Sequence, residues 1–108
     1  MSFKVHIKKI RGKPILEITG ELTGENVGKI AVRLERLRKT KARLIAVDLS
    51  RTTFIDSHGL GAFVYCWRLL ENENRDLVFV SPQGFILNML HNTNLDRVFR
   101  VVDSIGDL

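Results

Sequence analysis

The sequence is poor in the residues that hold small secreted scaffolds together. Its 108 residues include one cysteine, Cys66. That thiol has no partner for an internal bridge, which excludes a disulfide framework and fits a reducing compartment. With only 2 prolines and 8 glycines, the chain is neither collagen-like nor of low complexity. Aromatic residues make up 7%. None lies within the basic stretch 29–43, where a single-strand nucleic-acid binder would place its stacking rings. The longest apolar runs, such as Ala62–Trp67, fall well short of the ~20 residues of a membrane span. No charged-then-apolar leader precedes the first patterned segment, so a cytoplasmic chain without membrane association is expected.

What is present suits one compact domain over residues 1–108. Hydrophobic residues make up 44% and charged residues 27%, and domains of roughly 100–150 residues are the common size. A chain this long buries about two-thirds of its unfolded surface and needs no metal or disulfide to fold. The net charge of +5 is unevenly spread. Residues 1–49 hold 12 Lys and Arg against 5 Asp and Glu, whereas residues 50–108 hold 5 against 7. The basic residues from Lys29 to Arg43 alternate with apolar positions and Glu35, as on the wet face of a helix. That surface is suited to steering an acidic partner, and no direct nucleic-acid contact is expected.

Periodicity supplies the elements. Val5 and Ile7 alternate with His6 and Lys8, and Pro14–Ile18 resumes after Arg11-Gly12-Lys13, which predicts a β-hairpin. Gly20–Gly24 reads as a connector, with Thr23 as the expected helix cap. Val27, Ile30, Ala31, Leu34 and Leu37 recur at helical spacing. Leu44–Leu49 predicts a strand covered on both faces, followed by a turn. A helical pattern runs from Ser57 to about Asn72. Leu77–Val80 reads as a buried strand, and Ser81-Pro82 as the opening of a third helix through Ile86, Met89 and Leu90. Val98–Val102 reads as the last strand. This order predicts an α/β fold: a mixed, mostly parallel sheet of about five strands, with an N-terminal β-hairpin and three to four helices.

The informative segment is Val47–Gly61, V-D-L-S-R-T-T-F-I-D-S-H-G-L-G. It follows a buried strand, so it lies beyond a strand's carboxyl end, where parallel α/β sheets gather their ligands. Asp56 or Ser57 suits the cap of the next helix. Gly59 and Gly61 fall in its first turns, where each costs about 1 kcal/mol relative to Ala, so the sheet or another molecule must approach that backbone closely. Asp56, Ser57 and His58 are the residue types of a hydrolytic triad, but neighbours on a helix point about 100° apart and cannot converge. A nucleophile elbow is excluded because Ile55 stands where its first glycine belongs. Gly59-Leu60-Gly61 lacks the Gly-Lys-Ser/Thr that completes a phosphate loop. The third reading of the segment is Ser57 as a regulatory hydroxyl, exposed at a helix start and open to modification.

The run L-I-A-V-D-L-S-R-T-T-F-I-D-S-H-G-L-G resembles the signature of the STAS domain family, especially its stand-alone bacterial members, the anti-sigma-factor antagonists. The likeness continues through Leu77–Ser81 and Ser81-Pro82 to T-N-L-D-R-V-F at Thr93–Phe99, nearly the whole chain. The resemblance implies a STAS fold and a partner-switching protein. Ser57 would be phosphorylated by a histidine-kinase-like serine kinase that is also the anti-sigma factor. The unphosphorylated chain would bind that kinase, and a PP2C-type phosphatase would reset it. ATP and magnesium would belong to the kinase, leaving this chain without catalytic residue, cofactor or metal, as a monomer or weak dimer. Other STAS proteins are subunits of stressosomes, so a non-catalytic scaffold role is the alternative.

On the wheel of this helix, Leu60, Phe63, Val64, Trp67 and Leu70 form a core face, with Cys66 on its flank as a buried thiol. His58, Ala62, Tyr65 and Leu69 form a stripe on nearly the opposite side, expected to anchor a partner. The expected partner surface comprises Thr23, Asp56, His58, Gly59, Gly61, Ala62, Tyr65 and Leu69. Two of these depart from the family pattern: Thr23 stands where many antagonists have Asp, and His58 replaces a small residue. A phosphate on Ser57 would add roughly −1.5 to −2 charges, which the helix dipole and free amides are expected to accommodate without unfolding.

Overall fold

The computed structural model describes residues 2–108. The chain opens with a hairpin of β1 (Lys4–Ile10) and β2 (Lys13–Leu22), joined by the two-residue loop Arg11-Gly12. Both loop residues have positive φ, 54° and 77°. This is the left-handed geometry whose twist matches an antiparallel pair, and the glycine adopts it without steric cost. There follow α1 (Val27–Lys39), β3 (Leu44–Ile55), α2 (Ser57–Asn72), β4 (Asp76–Val80), α3 (Gly84–Asn92) and β5 (Arg100–Val102), with short 3-10 turns at Leu95–Arg97 and Ile105–Asp107.

The strands lie in the order β1-β2-β3-β4-β5, with β1 antiparallel to β2 and the other pairs parallel. Each parallel crossover steps the same way across the sheet, so right-handed connections put all three helices on one face. The core confirms this, because Ile30 and Leu34 of α1, Phe63 and Leu70 of α2, and Ile86 and Leu90 of α3 share one cluster with Leu16, Ile18, Val47 and Phe79 of the sheet. Phe79 stands edge-on to Phe63 and Phe99, with ring centroids 5.0 and 4.7 Å apart, a favoured aromatic geometry. On the opposite face Ile15, Ala46 and Val80 form a smaller cluster, closed over by Ile105 and Leu108. The predicted α/β architecture is therefore the observed one.

Several boundaries differ from the sequence reading. β3 does not stop at Leu49 but runs six residues further to Ile55. Ser50–Thr53 looks like a polar turn, yet Thr52 is buried and donates its hydroxyl to the Ile18 carbonyl at 2.8 Å. Gly20–Leu22, read as a connector, is the end of β2 and pairs with this extension through two register shifts. Gly20 takes φ 96° at the irregularity, where a Cβ would lie 3.1 Å from the Ser2 carbonyl oxygen, so glycine is required there. Thr23 does not cap α1. That helix starts at Val27 after Asn26, and the Thr23 carbonyl accepts the Asn26 and Val27 amides in the preceding turn. Pro82 lies outside α3, whose cap is Gln83. Ser81, at φ 52°, forms the turn out of β4 and donates its amide to Val102. Finally, β5 is shortened to Arg100–Val102 because Phe99 is drawn into the 3-10 turn by its bond to Leu95.

Candidate functional site

The site forms where β2 and β3 end side by side, at the pair Leu22 and Ile55. The Asp56 amide donates to the Leu22 carbonyl at 3.0 Å, which carries the ladder into the loop. Asp56 then caps α2. Its Oδ1 accepts the His58 amide at 2.9 Å and the Gly59 amide at 3.1 Å, and its Oδ2 accepts the Gly24 amide at 3.0 Å. One carboxylate thus joins the helix start to the β2–α1 loop. Desolvation pushes the Asp56 carboxyl upward, but the hydrogen bonds from Gly59, Gly24 and His58 outweigh it and hold it below its ordinary value.

Ser57 is the first residue of α2 and is exposed. The amides expected to receive a phosphate there are already taken, since Asp56 holds those of His58 and Gly59. A phosphate on Ser57 would therefore stand beside a carboxylate rather than settle into open amides. Next to it is a cleft of about 710 Å³, lined by Glu21, Thr23, Glu25, Asn26, Asp56 and His58 among others. Thr23 is half-buried there, its hydroxyl accepting the Glu25 amide at 3.3 Å. His58 is exposed, with Nδ1 3.5 Å from Asp56 Oδ2. Its ring lies over Gly24, where a Cβ would come within 3.1 Å of Nδ1. Among the described residues no group of three His, Cys, Asp or Glu side chains converges as a metal site would need.

The two glycines of the motif have different surroundings. Gly59, expected at the partner surface, is buried instead. A Cβ there would lie 2.8 Å from Leu22 Cγ and 2.9 Å from Ile55 Cγ2, so the close approach is that of the sheet. Gly61 is exposed, with nothing within 4 Å of an added Cβ. The stripe also divides. His58 belongs to the cleft, whereas Ala62, Tyr65 and Leu69 line a groove of about 400 Å³ against α1. Tyr65 is 67% exposed and Cys66, on the groove floor, is 4% exposed. Burial raises the Cys66 thiol to about 11, which keeps it protonated and inert.

Sequence reasoning does not single out Glu21, Gly24 and Glu25, which line the cleft with Asp56, nor Ala31, which shares the apolar spacing of α1 but is exposed on the groove wall. The available signal was the parallel pairing of β2 with β3, which sets the loops after both strands against each other.

The sequence pattern of the STAS domain matches residues 4–108. The chain belongs to the STAS domain family. Its fold is similar to that of a putative anti-sigma factor antagonist from Thermotoga maritima, with a TM-score of 0.86 at 27% identity over 95% of this chain and 89% of the other. It also matches the anti-sigma factor antagonist SpoIIAA in its unphosphorylated form, with a TM-score of 0.74 at 18% identity over 98% and 92% of the two chains. In sequence, this STAS chain is 22% identical to the anti-sigma-B factor antagonist of Listeria monocytogenes over 84% of its own length and 80% of the relative's. No helix among the described residues is long and apolar enough to cross a membrane.

Proposed function

We propose that this STAS protein is a phospho-regulated anti-sigma-factor antagonist that binds a histidine-kinase-like serine kinase when unmodified and releases it when Ser57 is phosphorylated. The carrying observation is the exposed Ser57 at the first position of α2, between Asp56 and His58, which both line the cleft. The similarity to anti-sigma-factor antagonists supports the same reading. The docking surface takes in Thr23, Asp56 and His58 of the cleft and the exposed Gly61, and Ala62, Tyr65 and Leu69 extend it along α2. Gly59 contributes its backbone conformation and no surface. The chain acts in the cytoplasm as substrate and ligand, while ATP and magnesium belong to the kinase. A PP2C-type phosphatase resets it.

The energetics are sufficient. A like charge ~4 Å away costs about 4 kcal/mol at an effective dielectric of about 20. Screening at an exposed rim lowers that figure, yet about 1.4 kcal/mol already changes affinity tenfold. Because Asp56 occupies the helix amides, the phosphate's charge is directed outward at whatever docks. The test is incubation of the purified chain with such a kinase and MgATP, followed by mass mapping. One phosphoryl group on Ser57, absent in Ser57→Ala, is expected. Modification elsewhere, or none, would overturn the assignment.

A further inference from the structure

The groove between α1 and α2 has an apolar floor that none of the described residues fills. Ala31 and Leu34 form one wall, and Ala62, Cys66 and Leu69 the other, with Tyr65 standing at the edge. It continues onto the outer face of α1 past Val32, which is 59% exposed, between Arg36 and Lys39. A helix that packs on a sheet by one face normally presents a polar outer face. Here both helices turn small or apolar residues towards the same channel.

The charges around the channel decide what fits. Arg38 at its wall is held by Glu35 at 2.6 Å and lies 3.5 Å from Glu73, so that guanidinium is neutralised within the fold. Arg36, Lys39 and Arg68 are in no ion pair among the described residues. Arg36 and Lys39 flank the channel on the α1 side. Arg68 sits one turn beyond Tyr65 on α2, on the flank away from α1 by helical spacing. The channel is therefore apolar along its floor, with Glu35 at the α1 wall paired to Arg38, and its unpaired charges on both banks are cations. A second copy of this chain would bring the same cations face to face across a two-fold axis, which like-charge repulsion opposes.

We propose that this groove receives an amphipathic helical segment of the partner protein, its apolar residues against Ala62, Leu69 and the rim at Tyr65 and acidic residues on both flanks. The assignment rests on the reading that this chain works by docking a protein. It adds where that protein is gripped and by what chemistry. Ala62 and Leu69 lie ~7 and ~18 Å along the helix from Ser57 at 1.5 Å per residue. One partner can thus hold the groove while covering the hydroxyl, and the groove supplies grip that the phosphate then opposes.

The test uses the intact protein and no kinase. A displayed library of amphipathic 16-residue helices, with randomised charges at the flanking positions, is selected against it. Expected are binders rich in Glu and Asp, whose affinity falls at least tenfold in Tyr65→Ser and in the pair Arg36→Glu with Lys39→Glu, and falls as salt rises. These side chains are exposed or on the outer face, so folding is retained, and amide spectra of each variant check it. Loss of groove-residue NMR shifts on the same substitutions locates the binding. Enrichment of neutral or basic helices, no enrichment, or doubling of the protein's mass with concentration through this face would overturn the proposal. Failure here leaves the Ser57 switch standing, since no phosphate or kinase enters the measurement. Failure to phosphorylate Ser57 likewise leaves the groove's charge preference intact.

Discussion

The Asp56 carboxylate accepts the Gly24 amide at 3.0 Å across 32 residues of chain, and this single bond sets the β2–α1 loop against the start of α2. The same carboxylate caps the helix through the amides of His58 and Gly59. It works as an anion, so its carboxyl is held below the ordinary value. A carboxyl depressed in the folded state contributes stability that is present above its unfolded value of about 4 and is lost as pH falls through its folded value. Urea unfolding of wild type is expected to show stability declining below about pH 5. Asp56→Asn should be less stable at neutral pH and show a shallower acid decline. An unchanged acid slope in the variant would contradict the account of this cap.

The two motif glycines separate by substitution to alanine. Gly59→Ala drives a methyl to within 3 Å of Leu22 and Ile55, both buried in the core, and overpacking of this kind costs about 1–3 kcal/mol. Gly61→Ala meets open space within the same helix, so it gains helix propensity of about 0.5–1 kcal/mol. Denaturant midpoints of the two variants should move in opposite directions. Equal shifts would mean the sheet does not approach α2 as described.

Cys66 should be silent towards thiol reagents. Burial keeps its thiol protonated up to about 11, and only 4% of the residue is exposed. At pH 8 a disulfide reagent should leave the native protein unreacted and titrate one thiol after denaturation. Rapid reaction of the folded chain would show that the α1–α2 groove opens to its floor.

The α/β order was legible because the buried strands are continuous apolar runs and the helices are amphipathic. α2 was read with its observed ends, Ser57 and Asn72, since Asp56 and the 3.6-residue spacing mark them locally. The misread boundaries have a common cause. Ser50–Thr53 and Gly20–Leu22 are polar or glycine-rich, yet each is held in the sheet by the other, a pairing that local propensity does not contain. Asp56 and Ser57 were legible as a helix start, whereas the cleft beside them was not, because Glu21, Glu25 and Gly24 arrive from another loop. The stripe of His58, Ala62, Tyr65 and Leu69 was visible on the wheel. Its division between cleft and groove depends on where α1 lies, which one helix's pattern cannot tell.

The most direct test of the switch is titration of the partner kinase with wild type, Ser57→Ala and Ser57→Asp. Ser57 is exposed and its side chain caps nothing, so all three should fold alike. The account predicts that wild type and the alanine variant bind with similar affinity and that the aspartate variant binds at least about tenfold more weakly, about 1.4 kcal/mol. Equal binding by all three would contradict it.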